Sequence, residues 1–180
     1  MTPEDLAPPD VRVLCGWGVS GLEALSTHVD ALVIVDVLSF STACAVARES
    51  GAIVVPHDPS RVADPASADL VAGPRSPDRP SLSPASLRAL PAGTHIVIPS
   101  PNGSRLLANA RRGGLSAQTG CLRDRSMVAE SLADVPRVGL VAAGERWPDG
   151  TIRFALEDWL GVGALVAALR GPHSVEATCA

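Results

Sequence analysis

The chain has 180 residues, of which 46% are hydrophobic, and its formal net charge at pH 7 is −4. This length predicts one domain over residues 1–180, large enough to bury roughly 70% of the surface of the unfolded chain. The acidic charge balance argues against non-specific nucleic-acid binding, and no apolar run approaches the ~18 residues of a membrane-spanning helix. The first ten residues lack the basic and then apolar pattern of a signal peptide, so a cytoplasmic protein is expected.

All 15 basic residues are arginines. Lysine Schiff-base chemistry and the lysine of a phosphate-binding P-loop are therefore excluded. Guanidinium groups suit bidentate binding of phosphate, sulfonate or carboxylate. The four cysteines are scattered and predict neither a disulfide framework nor a zinc site, and the four histidines show no metal-ligand spacing.

Residues 11–15 are predicted to form the first strand, and a formal G-x-G-x-x-G sequence, residues 16–21, follows it. Asp36 lies about 20 residues further on, which matches the spacing of a dinucleotide-binding unit. The intervening predicted helix, residues 22–26, is short for a crossover, and Trp17 places a large ring where a pyrophosphate should approach the backbone. These features favour a glycine-rich turn.

Residues 32–35 form a short apolar run typical of a strand buried on both faces. The run ends at Asp36, which is followed by the hydroxyl residues Ser39, Ser41 and Thr42 and by a predicted helix over residues 43–49. Ligands of open α/β sheets bind at the carboxyl ends of the strands, so this turn is a candidate metal and anion site. Taken alone, the same residues are equally compatible with a simple helix cap.

Strand and helix signals alternate along the rest of the chain and predict an α/β domain with a mixed, largely parallel sheet between helical layers. The long proline-rich connection over residues 59–91 is a candidate lid or active-site loop. Further strands are predicted at residues 52–55, 69–72, 94–99, 115–118 and 138–142, and further helices at residues 83–90, 106–112, 123–132 and 156–169.

Two further polar turns follow predicted strand ends. One contains Asn102, Gly103, Ser104 and Arg105, and the other contains Glu145. Because these turns and Asp36 all follow strands, we expect them to meet at one edge of the sheet.

The last predicted helix, residues 156–169, carries the acids Glu157 and Asp158 in its first turn, where the helix dipole alone also favours acids. Its buried face is predicted to contain Leu156, Leu160, Ala164 and Ala167.

Several phosphatase chemistries are excluded, because the chain has no Cys-x5-Arg loop, no Asp-x-Asp-x-Thr, no Arg-His-Gly and no Gly-x-Ser-x-Gly sequence. The remaining carboxylates, amides, hydroxyls and arginines suit Mg²⁺-assisted chemistry on an anionic ester.

Three motifs in this order resemble the ComB family of Mg²⁺-dependent 2-phosphosulfolactate phosphatases. They are Asp-Val-Leu-x-x-Ser-Thr at residues 36–42, Pro-Asn-Gly-Ser-Arg at residues 101–105, and the Ala-Gly loop at residues 143–144 that leads to Leu-Glu-Asp at 156–158 and Gly-x-Gly-Ala at 161–164. The resemblance covers about residues 11–169. It implies a three-layer α/β/α fold of ComB type and hydrolysis of 2-phosphosulfolactate to 3-sulfolactate and phosphate.

The resemblance also implies roles for single residues. Asp36, Glu157 and Asp158 would be catalytic carboxylates or Mg²⁺ ligands, and Glu145 would be a further ligand. The substrate would be held by Ser39, Ser41, Thr42, Arg75, Asn102, Gly103, Ser104 and Arg105. The expected partner is a small anionic substrate, with no nucleic acid and no membrane, and a homo-oligomer stays open.

The sequence departs from the family pattern at two positions: Ser39 stands where many members have arginine, and Pro74 replaces the acid of a Gly-Glu-Arg sequence. Members also usually extend beyond the point where this sequence stops, so a further C-terminal segment is expected. The alternative function is a non-catalytic or altered-specificity relative that binds a small phosphorylated or sulfonated hydroxy acid.

Overall fold

The computed structural model describes residues 8, 10–55, 57, 68–74, 76 and 79–180. Its strands are β1 (Val13–Trp17), β2 (Ala31–Val35), β3 (Ile53–Val55), β4 (Leu70–Val71), β5 (His95–Val97), β6 (Ser116–Thr119), β7 (Val138–Ala142), β8 (Glu145–Arg146) and β9 (Ile152–Arg153). Its helices are α1 (Gly18–Leu25), α2 (Phe40–Glu49), α3 (Gly103–Arg112), α4 (Arg125–Ser131), α5 (Leu156–Ala168) and α6 (Val175–Thr178), with a 3₁₀ turn at Pro84–Leu87.

The central sheet has the strand order β1-β7-β2-β6, and all of its strand pairs are parallel. A second parallel sheet has the order β3-β5-β4, and β8 and β9 form an antiparallel hairpin. Every residue of β2 and β7 is buried, as their apolar sequences predict for strands covered on both faces.

Helices cover both faces of the central sheet. Side chains that alternate along β2 enter two cores, with Leu32 and Ile34 packing among residues of α1, α2 and α3, and Val33 and Val35 packing among residues of α4 and α5. The predicted three-layer α/β/α fold with a largely parallel sheet is therefore confirmed. No helix in the described part of the chain is long and apolar enough to cross a membrane.

The glycine-rich sequence after β1 forms a direct junction between a strand and a helix. Helix α1 begins at Gly18, whose φ of +59° favours glycine. A Cβ added to Gly21 would lie 2.7 Å from the carbonyl carbon of Gly16, so these two glycines let α1 pack closely against β1. The helix predicted over residues 22–26 is therefore too short, because α1 also includes Gly18 and Gly21.

Helix α5 buries a different face from the predicted one. Leu156 and Leu160 are 59% and 54% exposed, whereas Val162 and Leu165 are fully buried. Apolar residues occur on both faces of this helix, so the spacing of its leucines did not identify the inner face. Asp158 is also on the inner face, which places a carboxylate inside the protein.

The proline-rich connection is only partly described, since residues 58–67 lie outside the described chain. Of the helix predicted at residues 83–90, only the 3₁₀ turn Pro84–Leu87 forms. This turn packs against α2, close to the start of that helix.

Candidate functional site

Asp36 follows the carboxyl end of β2 and joins two of the predicted polar turns. Its Oδ1 accepts the N–H of Phe40 at 3.2 Å, at the start of α2. Its Oδ2 accepts the hydroxyl of Ser100 at 3.1 Å and the N–H of Gly103 at 2.9 Å, at the start of α3. One carboxylate therefore fixes the N-termini of two helices against each other, and the expectation that these turns meet is confirmed.

The Asp36 carboxylate is only 6% exposed, and burial raises its pKa above the ordinary value. The N–H groups of Gly103 and Phe40 and the Ser100 hydroxyl oppose this rise, while the negative charge of Glu145 adds to it. No arginine or histidine in the described chain pairs with Asp36. Its ionised form is thus stabilised only by neutral donors and by two helix N-termini.

Asp158 is a second buried carboxylate, 3% exposed, in the first turn of α5. Its Oδ1 accepts the N–H of Val37 at 2.7 Å, and its Oδ2 accepts the N–H of Gly144 at 2.9 Å. Burial, more than the charges of Asp36 and Glu157, raises the pKa of Asp158 to about 7. Asp158 thus links the turn after β2 to the turn after β7. Its role is therefore more than a favourable interaction with the dipole of α5.

Asn102 and Glu145 connect the turn after β5 to the turn after β7. The Asn102 Nδ2 donates to Glu145 Oε1 at 2.9 Å, and the N–H of Arg146 donates to the same oxygen at 3.0 Å. Glu145 is placed by the hairpin of β8 and β9, which the sequence did not predict. Glu145 and Glu157 are half-buried, so their side chains remain accessible from the rim of the site.

Two predicted substrate-binding hydroxyls have partners within the protein. The Ser41 hydroxyl donates to the carbonyl of Ile34 and accepts the N–H of Asp36, both at 3.0 Å. The Thr42 hydroxyl donates to the carbonyl of Val37 at 2.8 Å. Both residues therefore shape the turn after β2, and their contact with a substrate stays a prediction.

Ser39 and Ser104 are also held by backbone groups. The Ser39 hydroxyl donates to the carbonyl of Leu82 at 2.8 Å, which ties the start of α2 to the segment before the 3₁₀ turn. The Ser104 hydroxyl donates to the Ser100 carbonyl at 2.7 Å and accepts the Ser100 N–H at 2.8 Å. Substrate contacts of these two hydroxyls likewise stay predictions.

Of the two predicted anion-binding arginines, the structure describes only Arg105. Arg75 lies outside the described residues. Arg105 is half-buried in the first turn of α3, next to Gly103 and Ser104, and makes no hydrogen bond or ion pair within the described chain. Its guanidinium is therefore available to an anion at this helix N-terminus.

Comparison with known proteins identifies the family of the chain. The sequence model of the 2-phosphosulpholactate phosphatase family matches residues 21–179, which is most of the chain. The chain belongs to this family. The match confirms the resemblance seen in the three motifs and makes the protein a phosphoric monoester hydrolase. Comparison with functionally curated proteins gives no match.

Two residues of this phosphatase site were missed by sequence reasoning. Ser100 is not among the predicted site residues, yet its buried hydroxyl donates to Asp36 and accepts the N–H of Asn102 at 3.3 Å. Gly144 supplies the N–H that Asp158 accepts, and its φ of +70° favours glycine. The position of Ser100 directly after a predicted strand was the available signal for it. Gly144 was part of the third motif, but its contact with Asp158 was not predicted.

The carboxylates of this phosphatase do not form a closed metal cage. No three His, Cys, Asp or Glu side chains among the described residues come close enough together to hold a metal ion. Mg²⁺ is commonly bound through one or two carboxylates with water and substrate phosphate completing the shell, so this oxygen donor set fits Mg²⁺. Which of Asp36, Glu145, Glu157 and Asp158 are ligands stays a prediction.

Proposed function

We propose that this chain hydrolyses the phosphate monoester of 2-phosphosulfolactate to 3-sulfolactate and phosphate, with Mg²⁺ as cofactor. Family membership supports the reaction class. The observation that carries the proposal is the contact of Asp36 with the N–H of Gly103, because it brings a buried carboxylate to a helix N-terminus that can receive an anion. Phosphate-ester chemistry needs both groups in one place.

The start of α3 is the proposed phosphate-binding element. The Gly103 N–H is taken by Asp36, which leaves the N–H groups of Ser104 and Arg105 without hydrogen-bond partners among the described residues. The Arg105 guanidinium follows directly, and Asn102 precedes the helix. Together these groups offer donors for the phosphate oxygens, and the helix dipole favours the negative charge.

Asp36 and Asp158 are the proposed first choices for Mg²⁺ ligands, with Glu145 and Glu157 at the rim. Each carboxylate oxygen can accept two hydrogen bonds, and Asp36 Oδ1 and both Asp158 oxygens accept one each. They therefore retain lone pairs, and their buried charge has no cationic partner in the described chain. When bound, Mg²⁺ would neutralise this charge and polarise the phosphoryl oxygens.

A second candidate function is binding without turnover. It is favoured by the many hydrogen bonds that Asp36 and Asp158 already make within the protein, since groups that only hold turns together would show the same geometry. In that case the start of α3 would bind a small phosphorylated or sulfonated hydroxy acid, and no phosphate would be released.

The experiment measures phosphate release from 2-phosphosulfolactate and from other 2-phospho-hydroxy acids, with Mg²⁺ and with EDTA. We expect Mg²⁺-dependent turnover that is fastest for 2-phosphosulfolactate. Turnover that persists in EDTA would contradict the metal requirement, and preference for another ester would contradict the substrate. Calorimetric binding of sulfolactate without any turnover would favour the binding function.

A further inference from the structure

A cavity outside the cluster around Asp36 is lined in part by Phe40. It is lined by residues of α2, α3, β3 and β6, is partly open to solvent, and has a volume of about 50 Å³. A single ordered water needs roughly 10–15 Å³ by the same measure, so the cavity has about four water-sized positions, and its open side leaves room for an ion to extend toward solvent. Phe40 is common to both places, because its N–H donates to Asp36 and the residue also lines the cavity.

The polar wall of this cavity is basic. Arg48 from α2, Arg111 from α3 and His57 after β3 all line it, together with Gln118 and Thr119 of β6. No aspartate or glutamate among the described residues lines it. Arg48 and Arg111 are exposed and His57 is half-buried, so the two guanidiniums and the imidazole line a partly open cavity. They are the donor set of an oxyanion site.

The two guanidiniums are held in place by bonds that leave other N–H groups unused. Arg111 donates through Nε and Nη2 to the carbonyl of Ala117, at 3.2 and 2.9 Å. Arg48 donates through Nη2 to the Thr119 hydroxyl at 3.1 Å and to Asp124 Oδ2 at 2.8 Å. In both side chains Nη1 has no protein partner within the described chain, so preorganised donors remain for a ligand.

The charges of this wall do not cancel. Asp124 neutralises Arg48, but Asp124 does not line the cavity, and Arg111 has no carboxylate partner in the described chain. A bound anion would therefore meet a net positive surface in a partly enclosed space, where charge interactions are stronger than in water.

We propose that this cavity, formed by Arg48, Arg111, His57 and Thr119, binds one small tetrahedral oxyanion such as inorganic phosphate or sulfate. The site is separate from the phosphatase site at α3 and does not depend on the proposed reaction. Free phosphate and the sulfonate group of a larger molecule share this chemistry. The volume favours the free ion, and a titration with 3-sulfolactate distinguishes the two sources.

The test follows the backbone amide signals of the full chain by NMR during titration with phosphate, sulfate and 3-sulfolactate. We expect phosphate and sulfate to shift the signals of Gln118 and Thr119, and 3-sulfolactate to leave them unchanged. Arg111→Gln should weaken phosphate binding about tenfold, the effect of losing charge-assisted hydrogen bonds. Arg125→Gln is the matched control, because Arg125 is an exposed arginine that also donates to a backbone carbonyl but does not line the cavity.

Arg111 also holds the carbonyl of Ala117, so Arg111→Gln is checked by its unfolding temperature, and His57→Gln provides a second variant. The His57 side chain makes no hydrogen bond to the described residues, so its replacement should weaken phosphate binding several-fold without loss of stability. Phosphate shifts confined to Ser104 and Arg105, or equal binding by wild type and both variants, would overturn the proposal. If the chain did not hydrolyse 2-phosphosulfolactate, the outcome of this phosphate-binding experiment would not be affected.

Discussion

Ser100 shows how a single hydroxyl can join two parts of the phosphatase site. It donates to Asp36 and accepts the N–H of Asn102, so it fixes both the carboxylate and the amide side chain that begins the α3 turn. It is 4% exposed, and water cannot easily replace it. We regard Ser100 as a positioning residue that acts through Asp36.

Ser100→Ala is predicted to lower kcat/KM by about ten- to a hundredfold, because a hydrogen bond to a charged group contributes roughly 1.5–3 kcal/mol. Steady-state phosphate release measures the effect. Ser50→Ala is the control, since its hydroxyl donates to the carbonyl of Ala47 at the far end of α2. Wild-type kinetics for Ser100→Ala would show that Asp36 does not need this bond for the reaction.

At the scale of elements, the approach of α3 to α2 depends on one glycine. A Cβ added to Gly103 would lie 2.5 Å from Phe40 Cδ1 and 2.7 Å from Asp36 Oδ2. These distances are well inside van der Waals contact, and neither the buried ring nor the fixed carboxylate has space to move. The small residue at this position is therefore a requirement of the site.

Gly103→Ala is predicted to destabilise the fold by about 1–3 kcal/mol, the usual effect of overpacking, and to reduce turnover strongly by displacing the start of α3. Denaturant unfolding and phosphate release together measure both effects. Gly113→Ala at the other end of α3 is the matched control, because its nearest contact is 3.3 Å away and involves the carbonyl of Ala110. Equal effects of the two substitutions would contradict the packing argument.

Long elements with a clear sequence pattern were predicted correctly, and some very short elements were missed. The five apolar residues of β7, Val138–Ala142, were predicted with the observed bounds because they match a buried strand and nothing else. The hairpin of β8 and β9 was missed because each strand has only two residues. The prediction of the inner face of α5 was wrong because apolar residues occur on both faces of this helix.

The site was predictable in its parts, and its contacts were not. Asp36 and Asn102 followed predicted strand ends, and the expectation that their turns meet was confirmed. The strands before them, β2 and β5, belong to different sheets, which the sequence did not predict. The hydrogen bonds of Asp158 to Val37 and Gly144 join segments far apart in sequence. They depend on how α5 packs on the sheet, and the sequence does not report that packing.

At the scale of the whole molecule, the buried carboxylates make stability depend on pH. The Asp158 pKa rises from 3.8 to about 7 on folding, chiefly through burial. Between these values the unfolded chain releases a proton that the folded chain retains, so the free energy of unfolding falls as pH rises. This shift corresponds to about 4 kcal/mol lost across that window.

Denaturant unfolding in EDTA should therefore show stability falling between about pH 4 and pH 7, and Asp158→Asn should flatten this slope. Added Mg²⁺ should restore stability at pH 7 and above if it binds the ionised pair, because a ligand of the folded state raises the free energy of unfolding. A stability that rises with pH over this range would contradict the burial argument for Asp158.

The most direct test of the central claim compares two aspartates at opposite ends of β2. Asp36 follows the carboxyl end of the strand, whereas Asp30 precedes its amino end and accepts the N–H of Arg137 at 2.9 Å. We expect Asp36→Asn to lower kcat/KM for 2-phosphosulfolactate by roughly a thousandfold or more, as for the loss of a group essential to the transition state, and Asp30→Asn to retain wild-type activity. A folded Asp36→Asn variant with wild-type phosphate release would contradict the account.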